Sequence, residues 1–293
     1  MRLRVLNTVL MASVFSVGAA NAADLIIYPE PMADYAADFV APAVSGLNGK
    51  LELDLGYLTD PSSAVFRAAG SISAPVGDMF GLQGDLSVQS YEGDWSFGGA
   101  VHGFTRDPSS YLLGVTGGFV TSSESTLMAI GPEAELYLGQ ISLEAWAGWA
   151  SIDYTDVLQP DLSGMFAIAD LAYYATDDWR VSIGGSSILG ENSLRLATEY
   201  QFAPEMGLGV SGEARWHDTG AVAAMVGLKG YIGEPGKSLI DRHRQDDPPN
   251  RALSLFSGAS ELIHDGAYCG EGEKYVLVDT DTYDCESISD IPK

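Results

Sequence analysis

The chain has 293 residues, with 40 acidic and 15 basic side chains and a formal net charge of −25. So large an acid surplus excludes a nucleic-acid partner, because phosphate binding needs Lys and Arg. Mean hydropathy is nonetheless slightly positive, and lysine is confined to Lys50, Lys229, Lys237, Lys274 and Lys293. A soluble β-protein would instead coat its solvent face with Lys, Glu and Thr.

In chain order, Arg2 and Arg4 precede an apolar run from Leu6 to Val17 and a small-residue exit ending Ala20-Asn21-Ala22. That order predicts a secretory signal peptide over residues 1–22. The run is shorter than the ~20 residues a membrane-crossing helix needs. Residues 23–47, broken by Pro29, Pro31 and Pro42, read as a periplasmic linker.

From 48 to 233 the sequence repeats one pattern: runs of about ten alternating residues separated by short turn-like breaks, the pattern of transmembrane barrel strands. Twelve runs lie near 49–57, 64–74, 80–89, 95–104, 111–120, 127–138, 141–151, 163–174, 179–189, 194–202, 208–217 and 221–232. The expected fold is all-β: an antiparallel up-and-down transmembrane barrel of about twelve strands, within a range of ten to fourteen. An even count returns both ends of the barrel to the periplasm. The breaks near 58–63, 90–94, 121–126, 153–161, 190–193 and 218–220 then face outward.

Side chains alternate between the two faces of a strand, so each run has two sets. One is free of charge: Leu51, Leu53, Leu55 and Tyr57 in the first run, Leu82, Leu86 and Val88 in the third, and so on to Val226, Leu228 and Ile232 in the last. The other collects Glu52, Asp54, Arg67, Asp85, Glu133, Glu135, Glu144, Asp170, Arg180, Arg195, Glu199, Glu213, Arg215 and Lys229 among Gly, Ala, Ser and Gln. These fourteen are the candidate lumen-lining residues. A charge on the lipid face costs about 2–4 kcal/mol at mid-bilayer, a physical reason for the segregation. A soluble barrel alternates too. Aromatics near run ends (Tyr57, Trp95, Trp149, Trp179, Trp216) and the small, Gly-rich polar set favour the membrane reading.

Residues 234–293 read as a periplasmic tail: a charged, Pro-bearing flexible exit through Asn250, then a short unit with strand-like 274–278. Behind an export signal, Cys269 and Cys285 predict one disulfide, worth ~3 kcal/mol in the chain-entropy model. The tail would offer a contact to peptidoglycan or a periplasmic partner.

Ala23-Asp24-Leu25 with its Pro-rich acidic sequel, and Lys237-Ser238-Leu239-Ile240-Asp241-Arg242-His243-Arg244 with Asp246-Asp247-Pro248, resemble segments of alphaproteobacterial outer-membrane porin-like barrel proteins. The resemblance implies an outer-membrane barrel.

His102, His217, His243 and His264 make no histidine–x–serine pair of the kind seen in outer-membrane phospholipases, and His102 and His217 read as polar lumen or loop residues. Glu133 and Glu135 share one inward face and read as members of ion-pair networks with lumen arginines. No metal or cofactor is expected, and no enzyme. The expected function is an integral outer-membrane barrel with an envelope-structural or small-solute role. Its partners are outer-membrane lipid and the barrel-assembly machinery. Nine acids against five bases on the inward set would make an open pore lean towards cations. The alternatives are a hydrolase acting on lipid or peptide at the barrel rim and a secreted soluble β-protein.

Overall fold

The computed structural model describes residues 41–59, 62–91, 93–155, 159–264, 273–279 and 282–287. The predicted signal peptide lies outside these residues, as does most of the predicted linker.

Twelve antiparallel strands close into one barrel: β1 (Asn48–Thr59), β2 (Ser62–Val76), β3 (Phe80–Tyr91), β4 (Asp94–Asp107), β5 (Tyr111–Thr121), β6 (Ser125–Leu138), β7 (Ile141–Tyr154), β8 (Leu162–Thr176), β9 (Trp179–Ile188), β10 (Glu191–Ala203), β11 (Leu208–His217) and β12 (Val222–Ile232). Each pairs with its sequence neighbour, and β1 meets β12 from Gly49↔Ile232 to Leu58↔Ala223. Closure leaves no edge strand, which a bilayer requires because lipid cannot satisfy an unpaired N–H or C=O. All twelve predicted runs are strands. Several reach two or three residues beyond the alternating apolar stretch, because hairpin ladders continue past the outward apolar belt.

The two faces separate as the alternation dictates. Leu51, Leu86, Val101, Ile130 and Val226 stand out from the wall, each more than half exposed. The β6–β7 ladder is interrupted where Gly131-Pro132 passes Ala147-Gly148. Pro132 has no N–H to donate, and the backbones approach so closely that a Cβ on Gly131 would lie 1.9 Å from the Ala147 carbonyl oxygen.

The barrel has two mouths. The near mouth holds the start of β1, the end of β12 and the turns at 77–79, 108–110, 139–140, 177–178 and 204–207. The far mouth holds the other six connections, and at 155–161 the longest of all. Residues 41–47 belong to the near mouth: Ala43 N–H donates to the Asp78 carbonyl at 2.9 Å, and Val44 packs with Phe104, Leu112 and Tyr137.

The described part of the predicted tail departs from expectation. It is not a flexible exit behind the barrel. Three short helices, α1 (Leu239–Gln245), α2 (Arg251–Gly258) and α3 (Ser260–His264), enter the lumen. The reason is pairing. Arg242 and Arg251 are 1 % and 2 % exposed, and such cations are buried only against partners, which the barrel wall supplies. Beyond the helices, β13 (Glu273–Asp279) and β14 (Thr282–Ser287) form an antiparallel hairpin in which Tyr275 pairs with Cys285. Cys269, the other half of the predicted Cys269–Cys285 bridge, falls outside the described residues.

Candidate functional site: the occupied lumen

All fourteen candidate lumen residues sit on the inner face, buried or half-buried. Cross-strand spacing brings most of them together in ion pairs. Arg180 holds Glu144 through both carboxylate oxygens, at 2.8 and 2.9 Å. Arg195 reaches Asp170 at 2.6 Å and Glu213 at 3.1 Å, and Arg215 lies 3.5 Å from Glu213. Lys229 bridges Glu52 at 3.1 Å and Glu199 at 2.8 Å, and Arg67 faces Asp54 at 3.6 Å. Glu133 joins such a network. Its neighbour Glu135 instead accepts a hydrogen bond from Tyr137 Oη at 2.8 Å.

Two wall cations escaped the sequence reading. Lys50 lies 2.6 Å from Asp247, and Arg106 is buried above the Phe104 ring. Both keep the inward parity of their strands, Lys50 inside the first assigned run and Arg106 two residues beyond the fourth, so following the parity along the whole of each strand would have found them.

The helices run through the bore from mouth to mouth. At the near mouth, Ile240 N–H donates to the Asp177 carbonyl at 2.9 Å, and the Gln245 carbonyl accepts from Ser45 N–H at 2.8 Å. Arg242 Nε donates to Gln201 at 3.1 Å. Ser238 caps α1 and Asn250 caps α2, each side chain accepting a backbone N–H of the first turn.

At mid-barrel, the α2 start docks on two wall carboxylates. Arg251 N–H donates to Asp85 at 2.8 Å, and Arg251 Nε donates to Glu133 at 2.8 Å. His102 lies between the same two acids, with Nε2 2.9 Å from Asp85 and Nδ1 2.8 Å from Glu133. Thr116 donates to Glu133 as well. His102 is therefore a strut in a buried five-residue cluster and does not sit at the rim, where a hydrolase would need it.

Past mid-barrel the contacts turn apolar. Leu255, Phe256, Leu262 and Ile263 pack against Val120, Leu127, Trp146, Ile152, Phe166, Ile168 and Ile188 of the inner wall. At the far mouth, Leu262 N–H and His217 Nδ1 both meet the Glu191 carboxylate, at 3.2 and 2.9 Å. The Ile263 carbonyl accepts from Ser122 at 3.2 Å and Ser125 at 3.0 Å.

His243 sits in α1 between two tyrosines. Tyr174 Oη lies 2.8 Å from Nδ1, and Tyr231 Oη lies 3.0 Å from Nε2. Tyr231 also donates to Glu199, so its oxygen accepts from Nε2–H while Tyr174 donates to Nδ1.

Cavities remain beside the helices. A polar cavity of about 140 Å³ is bounded by Asp54, Glu144, Asp170, Arg195, Glu213 and Arg251 among others. A second, of about 40 Å³, lies towards the far mouth against Leu58, Tyr91, Met225 and Phe256. Among the described residues, no group of three or more His, Cys, Asp or Glu is arranged to hold a metal ion.

No protein-family model and no curated protein matches the sequence. Among solved structures, the chain is similar to the KdgM porin in complex with disordered oligogalacturonate, at 10 % identity over 62 % of this chain and 98 % of that one, TM-score 0.48. It is similar to an outer-membrane channel from Pseudomonas putida F1, at 11 % identity over 70 % and 100 %, TM-score 0.46. It is also similar to the Salmonella typhi outer-membrane phospholipase dimer with bound calcium, at 8 % identity over 68 % and 94 %, TM-score 0.43.

Proposed function

We propose that this chain is an integral outer-membrane barrel whose own C-terminal segment closes the lumen to bulk solutes, so that its role is envelope-structural and anchoring. The observation that carries the reading is the docking of Arg251 on Asp85 and Glu133 at mid-barrel, with Leu255 and Phe256 beyond it at 0 % exposure. The belt of exposed Leu, Val, Ile and Phe around the wall supports lipid as its surroundings.

An open pore leaning towards cations needs a clear bore with surplus acid. Here Glu52 faces Lys50 and Lys229, Glu133 faces Arg251, other carboxylates face wall arginines, and α2 fills the bore. Of the two histidines behind the hydrolase alternative, His102 is 0 % exposed beneath α2, and His217 is buried against Glu191 at the far mouth.

The test is conductance in planar bilayers. The full chain is expected to be silent, or nearly so, to ions and impermeable to sugars in liposome swelling. A chain ending at Gly233 is expected to conduct. A full chain that passes sugars freely would overturn the occluded reading.

A further inference from the structure

The three helices cross the lumen in one direction. Glu234 follows β12 at the near mouth, where its carbonyl accepts from Arg242 at 3.2 Å. Asn250 reaches Ser71 at 3.1 Å near the middle of β2. Ser257 then meets Arg67, nearer the far end of the same strand. Ile263 ends on Ser122 and Ser125, in the β5–β6 turn of the far mouth. Residue 264 therefore leaves the barrel at the mouth opposite to the one where the segment entered.

A return through the bore is closed. The cavities beside the helices, about 140 and 40 Å³, are too small for a second run of chain. A return outside the wall would draw the chain through lipid with its backbone polar groups unpaired. Residues 265–293 also carry eight acids and only Lys274 and Lys293 as bases, a composition for water and not for hydrocarbon.

Resting on the outer-membrane reading above, we infer that the β13–β14 hairpin lies on the far-mouth side, at the cell surface, so that the barrel anchors and displays an acidic hairpin. This reverses the periplasmic placement that the sequence suggested. In bacterial barrels, strand ends and short turns face the periplasm and the longer loops face out. The near mouth has the ends of β1 and β12, and the far mouth has the longest connection, 155–161.

The experiment places epitope tags in three full-length chains: after Lys293, within the 155–161 connection, and just before Asn48. Antibody binding and proteinase K shaving are read on intact cells and again after outer-membrane permeabilisation. The expected result is that the C-terminal and 155–161 tags are both reached on intact cells, and the tag before Asn48 only after permeabilisation. Shaving should remove a small C-terminal fragment and leave the plug in place. The inference is overturned if the 155–161 tag is reached on intact cells but the C-terminal tag is not. Failure of the barrel reading looks different: a chain absent from the outer-membrane fraction, with no heat-modifiable gel mobility, overturns that reading and the display with it. A variant with Ser122→Cys and Ile263→Cys gives a second measurement. Oxidised cross-linking in the assembled protein fixes the exit at the far mouth, and its absence under oxidant overturns the assigned path.

Discussion

The guanidinium of Arg251 in α2 lies 2.8 Å from Glu133 on β6, and both side chains are buried. The pair joins the plug to the wall at mid-barrel, where His102 and Thr116 hold the same carboxylate. Removing one partner of a buried pair costs about 3–5 kcal/mol, because the other charge stays behind uncompensated. Arg251→Ala is therefore expected to loosen the plug and raise bilayer conductance. Arg251→Lys, which keeps the charge but loses the fork of donors, should fall between. Equal conductance of Arg251→Ala and the parent would show that the pair does not hold the plug.

His243 ties α1 to the wall through two tyrosines, Tyr174 at 2.8 Å from Nδ1 and Tyr231 at 3.0 Å from Nε2. His243→Phe leaves both hydroxyls without the ring nitrogens that meet them, and a buried polar group that loses its partner costs about 1–3 kcal/mol. The variant is expected to loosen the plug at the near mouth and raise bilayer conductance. Conductance equal to the parent's would show that the two tyrosines do not hold α1.

The outer face can be tested by one charge. Leu86 stands near the middle of β3 and is 72 % exposed. Arg at such a site costs about 2–4 kcal/mol in lipid and close to nothing in water. Leu86→Arg should reduce the amount of folded barrel in outer membranes, scored by heat-modifiable mobility. Unchanged yield would favour a water-soluble barrel.

The close pass of β6 and β7 is intolerant of a side chain. A Cβ on Gly148 would lie 2.1 Å from the Ile130 carbonyl oxygen. Gly148→Val must push the strands apart, and a lower unfolding temperature in detergent is expected. Gly84, where a Cβ meets nothing within 4 Å, is the control: Gly84→Ala should leave the transition in place.

The wall was legible in the sequence down to the facing of single residues. A strand has a period of two, and each run repeated it long enough to show which set was free of charge, so Glu52, Arg180 and Lys229 could be turned inward before any coordinates. The plug was not legible. Its helices of 7, 8 and 5 residues are too short to display a helical period. A charged stretch such as 241–247 reads as solvated until the carboxylates that face it are in place. One signal was available. Trp146, Phe166, Ile168 and Ile188 share the inward parity with the charges, and apolar side chains on the inside of a barrel require something to pack against.

The sequence by itself determined the barrel, because alternation and the exclusion of charge from one face are local properties that every strand carries alone. Only the tertiary structure decided what the lumen holds. The partners of Arg242, His243 and Arg251 lie on strands distant in sequence, and their placement depends on closure of the whole barrel around the segment that fills it.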